Sequence, residues 1–309
     1  MSKVLITGGA GFIGSNLARS LVDENEITVV DDLSMGKIDN ISNINVNFYE
    51  HDVRDKTFMH KLLLDNQFDY IYFLAAISSV ADSVIRPIET HTVNQEAVLD
   101  TLEFIRVNKI PIKKFLFTSS AAVYGNLPDF PKKESSGVQP LTPYAIDKYA
   151  SERFTIDYGN LYDVPTIAVR FFNVFGPRQN PDSPFSGVLS IVTQCFNNDK
   201  TFTMYGNGSQ TRDFIYVKDV VNALIMLAKS KEKATVFNVA NGNETSLKDI
   251  IQTYEKITKK KLKIQRKVSR EGDISRSKAD ITKIKKLGFN PKYSLYDGLL
   301  EYWKYQQNI

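Results

Sequence analysis

The 309-residue chain is 42% hydrophobic and 24% charged, with a formal net charge of +4, which describes a globular protein with apolar material for one large core or two smaller ones and excludes collagen-like, disordered and disulfide-scaffold classes. The single cysteine, Cys195, permits no internal disulfide and fits a reducing compartment, so a cytoplasmic location is expected. The best apolar run, Ile71 to Ile77, spans seven residues against the roughly 20 that cross a bilayer, and Val4-Leu5-Ile6 is too brief for the apolar segment of a signal peptide, so neither a membrane nor export is expected.

In chain order, short β-rich runs at 4–6, 27–30, 46–49, 70–74, 115–117 and 166–169 alternate with helical stretches. Runs that are apolar throughout suit parallel strands covered on both faces, so the expected class is α/β with a doubly wound parallel Rossmann sheet and a ligand at the carboxyl ends of its strands. After about residue 172 the texture changes to VFGPRQNPDSPFSG, which marks a smaller, partly discontinuous second region. The expected domains are 1–172, rejoined by part of 213–240 through a buried strand at 236–239, and 173–309.

The segment KITKKKLKIQRKVSR carries eight basic side chains among fifteen but no aromatic residue for base stacking, and Lys261-Leu262-Lys263-Ile264 alternates as a strand with one wet face would. No nucleic-acid partner is expected. His51, His60 and His91 stand too far apart for a local metal pair, and no cysteine cluster accompanies them, so no metal is expected.

The first strand runs into Thr7-Gly8-Gly9-Ala10-Gly11-Phe12-Ile13-Gly14 and then a helix. Gly8 can make the tight turn, Gly11 removes a side chain that would block a pyrophosphate, and Gly14 lets helix and strand pack closely. Such a turn is also a common connector. What selects a dinucleotide is Asp31, twenty residues beyond Gly11 at the end of the second strand, where a carboxylate can accept from both adenosine ribose hydroxyls and would repel a 2′-phosphate, favouring NAD over NADP. Asp32 also reads as a solvated turn residue, and Asp52, ending the third strand, could flank adenine.

Thr142-Pro143-Tyr144-Ala145-Ile146-Asp147-Lys148 supplies an N-cap, a first-turn proline, and Tyr and Lys on one helix face. A free tyrosine, with pKa near 10, is only about 0.1% ionised at neutral pH. A lysine ammonium about 4 Å away at an effective dielectric of 20 is worth roughly 4 kcal/mol, about three pKa units, which makes acid–base chemistry possible. The same spacing also arises from packing with a snorkelling lysine. The run Phe115 to Gly125 ends in hydroxyls, of which Ser120 could hydrogen-bond a reacting oxygen, although serines at strand ends also satisfy backbone groups.

Together TGGAGFIG, VVDDLS, TSSAAVYG and YAIDK, in this order along nearly the whole chain, resemble the extended short-chain dehydrogenase/reductase family of nucleotide-sugar epimerases and dehydratases. Within it the sequence looks most like the UDP-hexose 4-epimerases, their N-acetylhexosamine branch in particular. The resemblance implies Tyr144 as catalytic base, Lys148 holding the nicotinamide ribose and lowering the phenol's pKa, and Ser120 helping to transfer the proton. It also implies Phe12, Ile13, Val53, Leu74, Ala75, Ala76 and Asn94 as further NAD contacts. For a UDP-sugar it implies Ser79, Asn173, Val188 and Tyr205, with Arg212 and Arg270 clamping the diphosphate, Asp273 meeting the uridine ribose and Ser277 as the size gate that leaves room for an N-acetyl group. Serine also stands at 78 and 79, where some galactose epimerases carry a cofactor-contacting lysine. Ala121 and Ala122 occupy the positions at which the dehydratases resemble an acid and base pair, so 4-epimerisation of UDP-GlcNAc and UDP-GalNAc, and of UDP-Glc and UDP-Gal, is expected. A UDP-sugar dehydratase or decarboxylase with other acid residues, and a noncatalytic NAD-binding regulator, are the alternatives. The resemblance further implies a homodimer through the helices starting near Asn94 and Pro143.

Overall fold

The computed structural model describes residues 1–179, 187–268 and 275–307. A seven-stranded sheet organises the chain. Its strands are β1 (Ser2–Thr7), β2 (Asn25–Asp31), β3 (Asn47–Glu50), β4 (Tyr70–Phe73), β5 (Lys114–Ser120) and β6 (Thr166–Phe171), joined by Thr235–Val239. The order across the sheet is Thr235–Val239, β6, β5, β4, β1, β2, β3, and every neighbouring pair is parallel. The chain therefore winds outward from β1 to one edge and restarts at β4 towards the other. Between β1 and β4 lies the switch point at which a crevice opens beyond the strands' carboxyl ends.

Alternate residues of the same strands feed opposite cores. Val4, Ile6, Val29, Leu116 and Val169 join a cluster that includes Leu17 of helix α1 (Phe12–Leu21) and Leu224 of the helix Val217–Lys229. Leu5, Val30, Ile71, Phe117 and Ala168 join Leu62 and Leu102 on the other face. Two buried faces explain runs that are apolar throughout. A third cluster, including Phe175, Leu189, Val192, Ile250, Tyr254 and Leu299, lies under the second region. The strand expected at 236–239 does rejoin the sheet, beside β6.

Two expectations shift. The hydroxyl-bearing Thr118, Ser119 and Ser120 remain within the β5 ladder, facing Val169, Arg170 and Phe171 of β6, so that strand is longer than its apolar run. The strand read from Lys261 to Ile264 instead spans Ile264–Lys267, with all four residues exposed, because its parallel partner Phe202–Tyr205 sets the register. Among the described residues no helix is long and apolar enough to cross a membrane, and no group of histidine, cysteine and acidic side chains could hold a metal ion.

Candidate active site

A cleft of about 800 Å³ follows the carboxyl edge of the sheet. Its floor is the turn after β1. Gly8 has φ of +71°, and a Cβ on Gly14 would stand 2.2 Å from the Gly8 carbonyl oxygen, so the start of α1 can rest against the turn only without side chains. Helix α1 opens at Gly11 with no side-chain cap, leaving its first N–H groups to serve an anion. Gly8, Gly11, Phe12 and Ile13 line the cleft.

Asp31 ends β2 on the same cleft. Its Oδ2 accepts from the Ala10 N–H at 2.9 Å and its Oδ1 from Leu33 N–H at 2.9 Å, which fixes the carboxylate in place. Burial pushes its pKa up, against the pull of those backbone donors. Asp32 makes the turn expected of it, accepting from the N–H and hydroxyl of Ser34 at 3.0 and 2.6 Å, and it too lines the cleft. Asp52 is held by the Arg54 guanidinium at 2.8 and 2.5 Å; with Val53 it lines the same end.

The loop after β4 forms the next wall, from Leu74, Ala75 and Ala76 to Ser78. Asn94 does not reach the cleft. Its Oδ1 accepts from Ile77 N–H at 2.8 Å and its Nδ2 donates to Ile77 carbonyl at 3.0 Å, so the amide is consumed in holding that loop and contact with a cofactor is indirect. Ser79 likewise caps the helix Val80–Ile85, its hydroxyl accepting from Asp82 N–H at 2.9 Å.

Tyr144, Lys148 and Ser120 converge on the cleft. Thr142 caps the helix Pro143–Tyr162 by accepting from Ala145 N–H at 3.3 Å, and proline at the first position needs no partner for an N–H it lacks. The expected lysine–phenol pairing is not what sets the tyrosine. Lys148 passes its arm over the Phe117 ring, 4.9 Å from Nζ to centroid, and donates to the Thr118 carbonyl at 2.8 Å. Burial pushes the Tyr144 phenol up, while the Ser120 hydroxyl, by hydrogen bonding, pulls it back. Burial also drives Lys148 down to about 7, with Asp147 acting against it. The carbonyl of Thr118 near the end of β5 gives the buried ammonium an acceptor.

On the opposite side the expected residues are more scattered. The Asn173 side chain donates to the Asp213 carbonyl at 2.9 Å, and Val188 packs with the third core cluster. The Arg212 guanidinium donates to the Thr211 carbonyl at 2.9 Å. Ser277 N–H donates to the same carbonyl at 3.2 Å, which sets Ser277 beside Arg212, and Tyr205 ends the strand Phe202–Tyr205. None of Asn173, Val188, Tyr205, Arg212 and Ser277 is among the residues lining the cleft. Arg270 and Asp273 lie outside the described residues.

Arg178 and Ser119 are among the lining residues that sequence reasoning missed. Arg178, with φ of +69°, donates to Asn16 Oδ1 at 3.3 Å across the mouth from the glycine turn; its only signal was a cation inside a Pro/Gly-rich stretch. Ser119 carries a buried hydroxyl with no hydrogen-bond partner on the cleft wall, and its neighbour Ser120 had drawn the attention.

The profile of the GDP-mannose 4,6-dehydratase family matches residues 5–302. A UDP-N-acetylglucosamine 4-epimerase from Methanobrevibacter ruminantium, solved with UDP-N-acetylmuramic acid, superposes with a TM-score of 0.93 at 35% identity, covering 99% of this chain and 98% of that one. A UDP-glucose 4-epimerase from Thermus thermophilus, solved with NAD, superposes with a TM-score of 0.89 at 30% identity over 99% of both chains. A UDP-N-acetyl-α-D-glucosaminuronate decarboxylase from Bacillus cytotoxicus is 33% identical over 97% of this chain and 96% of its own.

Proposed function

The chain belongs to the GDP-mannose 4,6-dehydratase family, within the extended short-chain dehydrogenases/reductases, and from that premise we propose that it is an NAD-dependent 4-epimerase of UDP-GlcNAc and UDP-GalNAc, and of UDP-Glc and UDP-Gal, acting through a transient 4-keto sugar. At the coarser level it is an enzyme of the UDP-sugar epimerase group and its related decarboxylases. The observation that carries the finer reading is the meeting of Tyr144, Lys148 and Ser120 with the glycine turn and Asp31 on one cleft, with alanine at 121 and 122.

The donor set fits the cofactor. The uncapped start of α1 suits a pyrophosphate, Asp31 suits ribose hydroxyls, and the neighbouring carboxylate of Asp32 disfavours a 2′-phosphate. When bound, NAD supplies a reversible hydride acceptor at the sugar carbon. Tyr144 takes the proton of the C4 hydroxyl and later returns it. Ser120 donates to the phenol oxygen and favours its ionised form. Lys148 holds a ribose and offsets the charge of the phenolate; Asn173, Arg212 and Arg270 receive the diphosphate, Asp273 meets the uridine ribose, and Ser277 leaves space for an acetamido group.

Residues 1–172 with part of 213–240 form the cofactor unit in this proposal, and the remainder of 173–309 the sugar-nucleotide unit. A cytoplasmic homodimer belongs to it as well, supported by exposed Val107, Leu161 and Tyr162 on the helices Ala97–Val107 and Pro143–Tyr162.

Purified protein is incubated with each UDP-sugar without added cofactor and the products are separated by anion exchange. Epimers of unchanged mass are expected. Tyr144→Phe should keep NAD and lose turnover by about 10²–10⁴-fold; undiminished turnover ends the assignment. The decarboxylase relative favours a second reading, in which a UDP-sugar acid gives a lighter product.

A further inference from the structure

Arg178 lines the cleft and has no part in the reaction above. Its backbone is left-handed, with φ of +69°, a conformation that residues other than glycine hold only where their surroundings fix it. Nη1 of Arg178 donates to Asn16 Oδ1 at 3.3 Å, and the guanidinium carbon stands 5.6 Å from the centroid of the Tyr305 ring, on the helix Leu295–Gln306. Asn16, on α1, donates through Nδ2 to the Phe12 carbonyl at 2.8 Å and to the Pro177 carbonyl at 3.0 Å. One amide thus ties the first turn of α1 to the residue before Arg178 and accepts from Arg178 itself. The cation is set beside the helix whose start opens onto the cleft.

What the guanidinium lacks is an anion. Among the described residues it has no carboxylate partner: burial presses hardest on its charge, the like charge of Arg19 adds to that, and the groups acting in its favour are the phenols of Tyr305 and Tyr216. Elsewhere on the cleft Arg54 and Arg86 are paired with Asp52 and Glu89, and Lys37 is exposed. The start of α1 lacks the complementary group. From Thr7 to Ala18 the chain carries no charged side chain, and the neighbouring strand end offers the carboxylates of Asp31 and Asp32. A pyrophosphate drawn to that helix start meets N–H dipoles but no cation from α1, and Arg178 is a half-buried cation placed beside it.

We propose that Arg178 is a cofactor-binding residue whose guanidinium, oriented by Asn16 and Tyr305, supplies the positive charge for the pyrophosphate of NAD at the start of α1. The planar fork of an arginine matches phosphate oxygens. The role rests on the cofactor part of the reading above and on no step of the sugar chemistry.

The test reads the dinucleotide directly. Wild type and variants, as purified with NAD, are mixed with an excess of etheno-NAD, a fluorescent dinucleotide with the same pyrophosphate, and the exchange is followed by fluorescence. Arg178→Gly removes the guanidinium yet suits the left-handed backbone, so its thermal unfolding should not fall; Arg178→Met keeps an apolar arm without the charge. Exchange should quicken about tenfold or more in both, the order that losing a charge-assisted hydrogen bond gives, and by less in Arg178→Lys. Added salt should quicken exchange in the wild type more than in Arg178→Gly, because only the wild type has the charge to screen. The affinity for UDP, measured by calorimetry, should be the same in all four proteins. Exchange unmoved in Arg178→Gly, or quickened with the salt dependence of the wild type intact, overturns the proposal, as does UDP weakened tenfold with NAD unmoved. Faster exchange in a protein whose wild type forms no epimer leaves the role of Arg178 standing and indicts the reaction assigned above. If Arg178→Gly does not fold, Arg178→Met decides by the same readings.

Discussion

The wall of the cleft on the sheet and a second wall, that of Asn173, Arg212 and Ser277, which stands outside the cleft lining, are built on opposite plans. Along the edge of β1 to β6 the groups facing the cleft issue from strand ends, from the segments that follow β1 and β4, and, for Tyr144 and Lys148, from the helix Pro143–Tyr162 packed on β5 and β6. Beside them, Asn173, Arg212 and Ser277 meet around the backbone of residues 211–213, where Asn173 and Arg212 belong to the short strands Asn173–Phe175 and Thr211–Arg212, outside the seven-stranded sheet. The first wall is preformed by a seven-stranded sheet; the second rests on two-stranded pairings and on hydrogen bonds between segments distant in sequence. A sequence reader finds the first because glycine spacing and a carboxylate at a strand end are local signals, and misplaces parts of the second because its contacts join residues tens of positions apart.

Breaking the first wall should cost most. Arg170 at the end of β6 and Glu152 on the helix Pro143–Tyr162 form a buried pair at 2.9 and 2.5 Å, so Glu152→Ala should lower unfolding free energy by about 3–5 kcal/mol, read from urea denaturation. Next comes a matched pair of glycines. Gly14→Ala pushes a methyl onto the Gly8 carbonyl and should cost about 1–3 kcal/mol and release the dinucleotide, whereas Gly187→Ala, on the same cleft with nothing within 4 Å of its new Cβ, should change neither. Equal losses in the two would erase the distinction between the walls. Asp31→Asn should weaken NAD about tenfold while narrowing the preference over NADP, measured by titration calorimetry.

The second wall yields smaller, more selective effects. Ser277→Tyr should reduce turnover of the acetylated sugars by about tenfold and spare the plain hexoses, within the few kcal/mol that a pocket's shape commands; equal loss on both removes the gate. The smallest effect is one of pH. Asp213 accepts from the N–H groups of Asn241, Gly242 and Ala279, yet burial pushes it up to about 6. The folded state then binds the proton more tightly than the unfolded one, so this group's contribution is full below its ordinary carboxylate range and is lost as pH rises through about 6. Urea midpoints from pH 4 to 7 should decline more steeply in the wild type than in Asp213→Asn.

Particular residues show where sequence reasoning reached and where it stopped. The strands were legible because two-sided burial demands unbroken apolar runs, and the return of Thr235–Val239 to the sheet was legible for the same reason. Lys148 reaches the cleft with Tyr144, and nothing in an i,i+4 spacing announces its hydrogen bond to the Thr118 carbonyl. Asn94 and Ser79 were read as ligand contacts; in the fold Asn94 bonds the backbone of Ile77, seventeen positions away, whereas Ser79 caps the helix that follows it, a local role.

The late strand Thr235–Val239 closes the open side of β6. On a ribosome, β6 must therefore wait for some seventy further residues with its row of amides and carbonyls bare, an invitation to pair with another nascent chain. A stop codon placed shortly before residue 235 should yield inclusion bodies, with all six earlier strands of the sheet present and the sixth paired on one side alone.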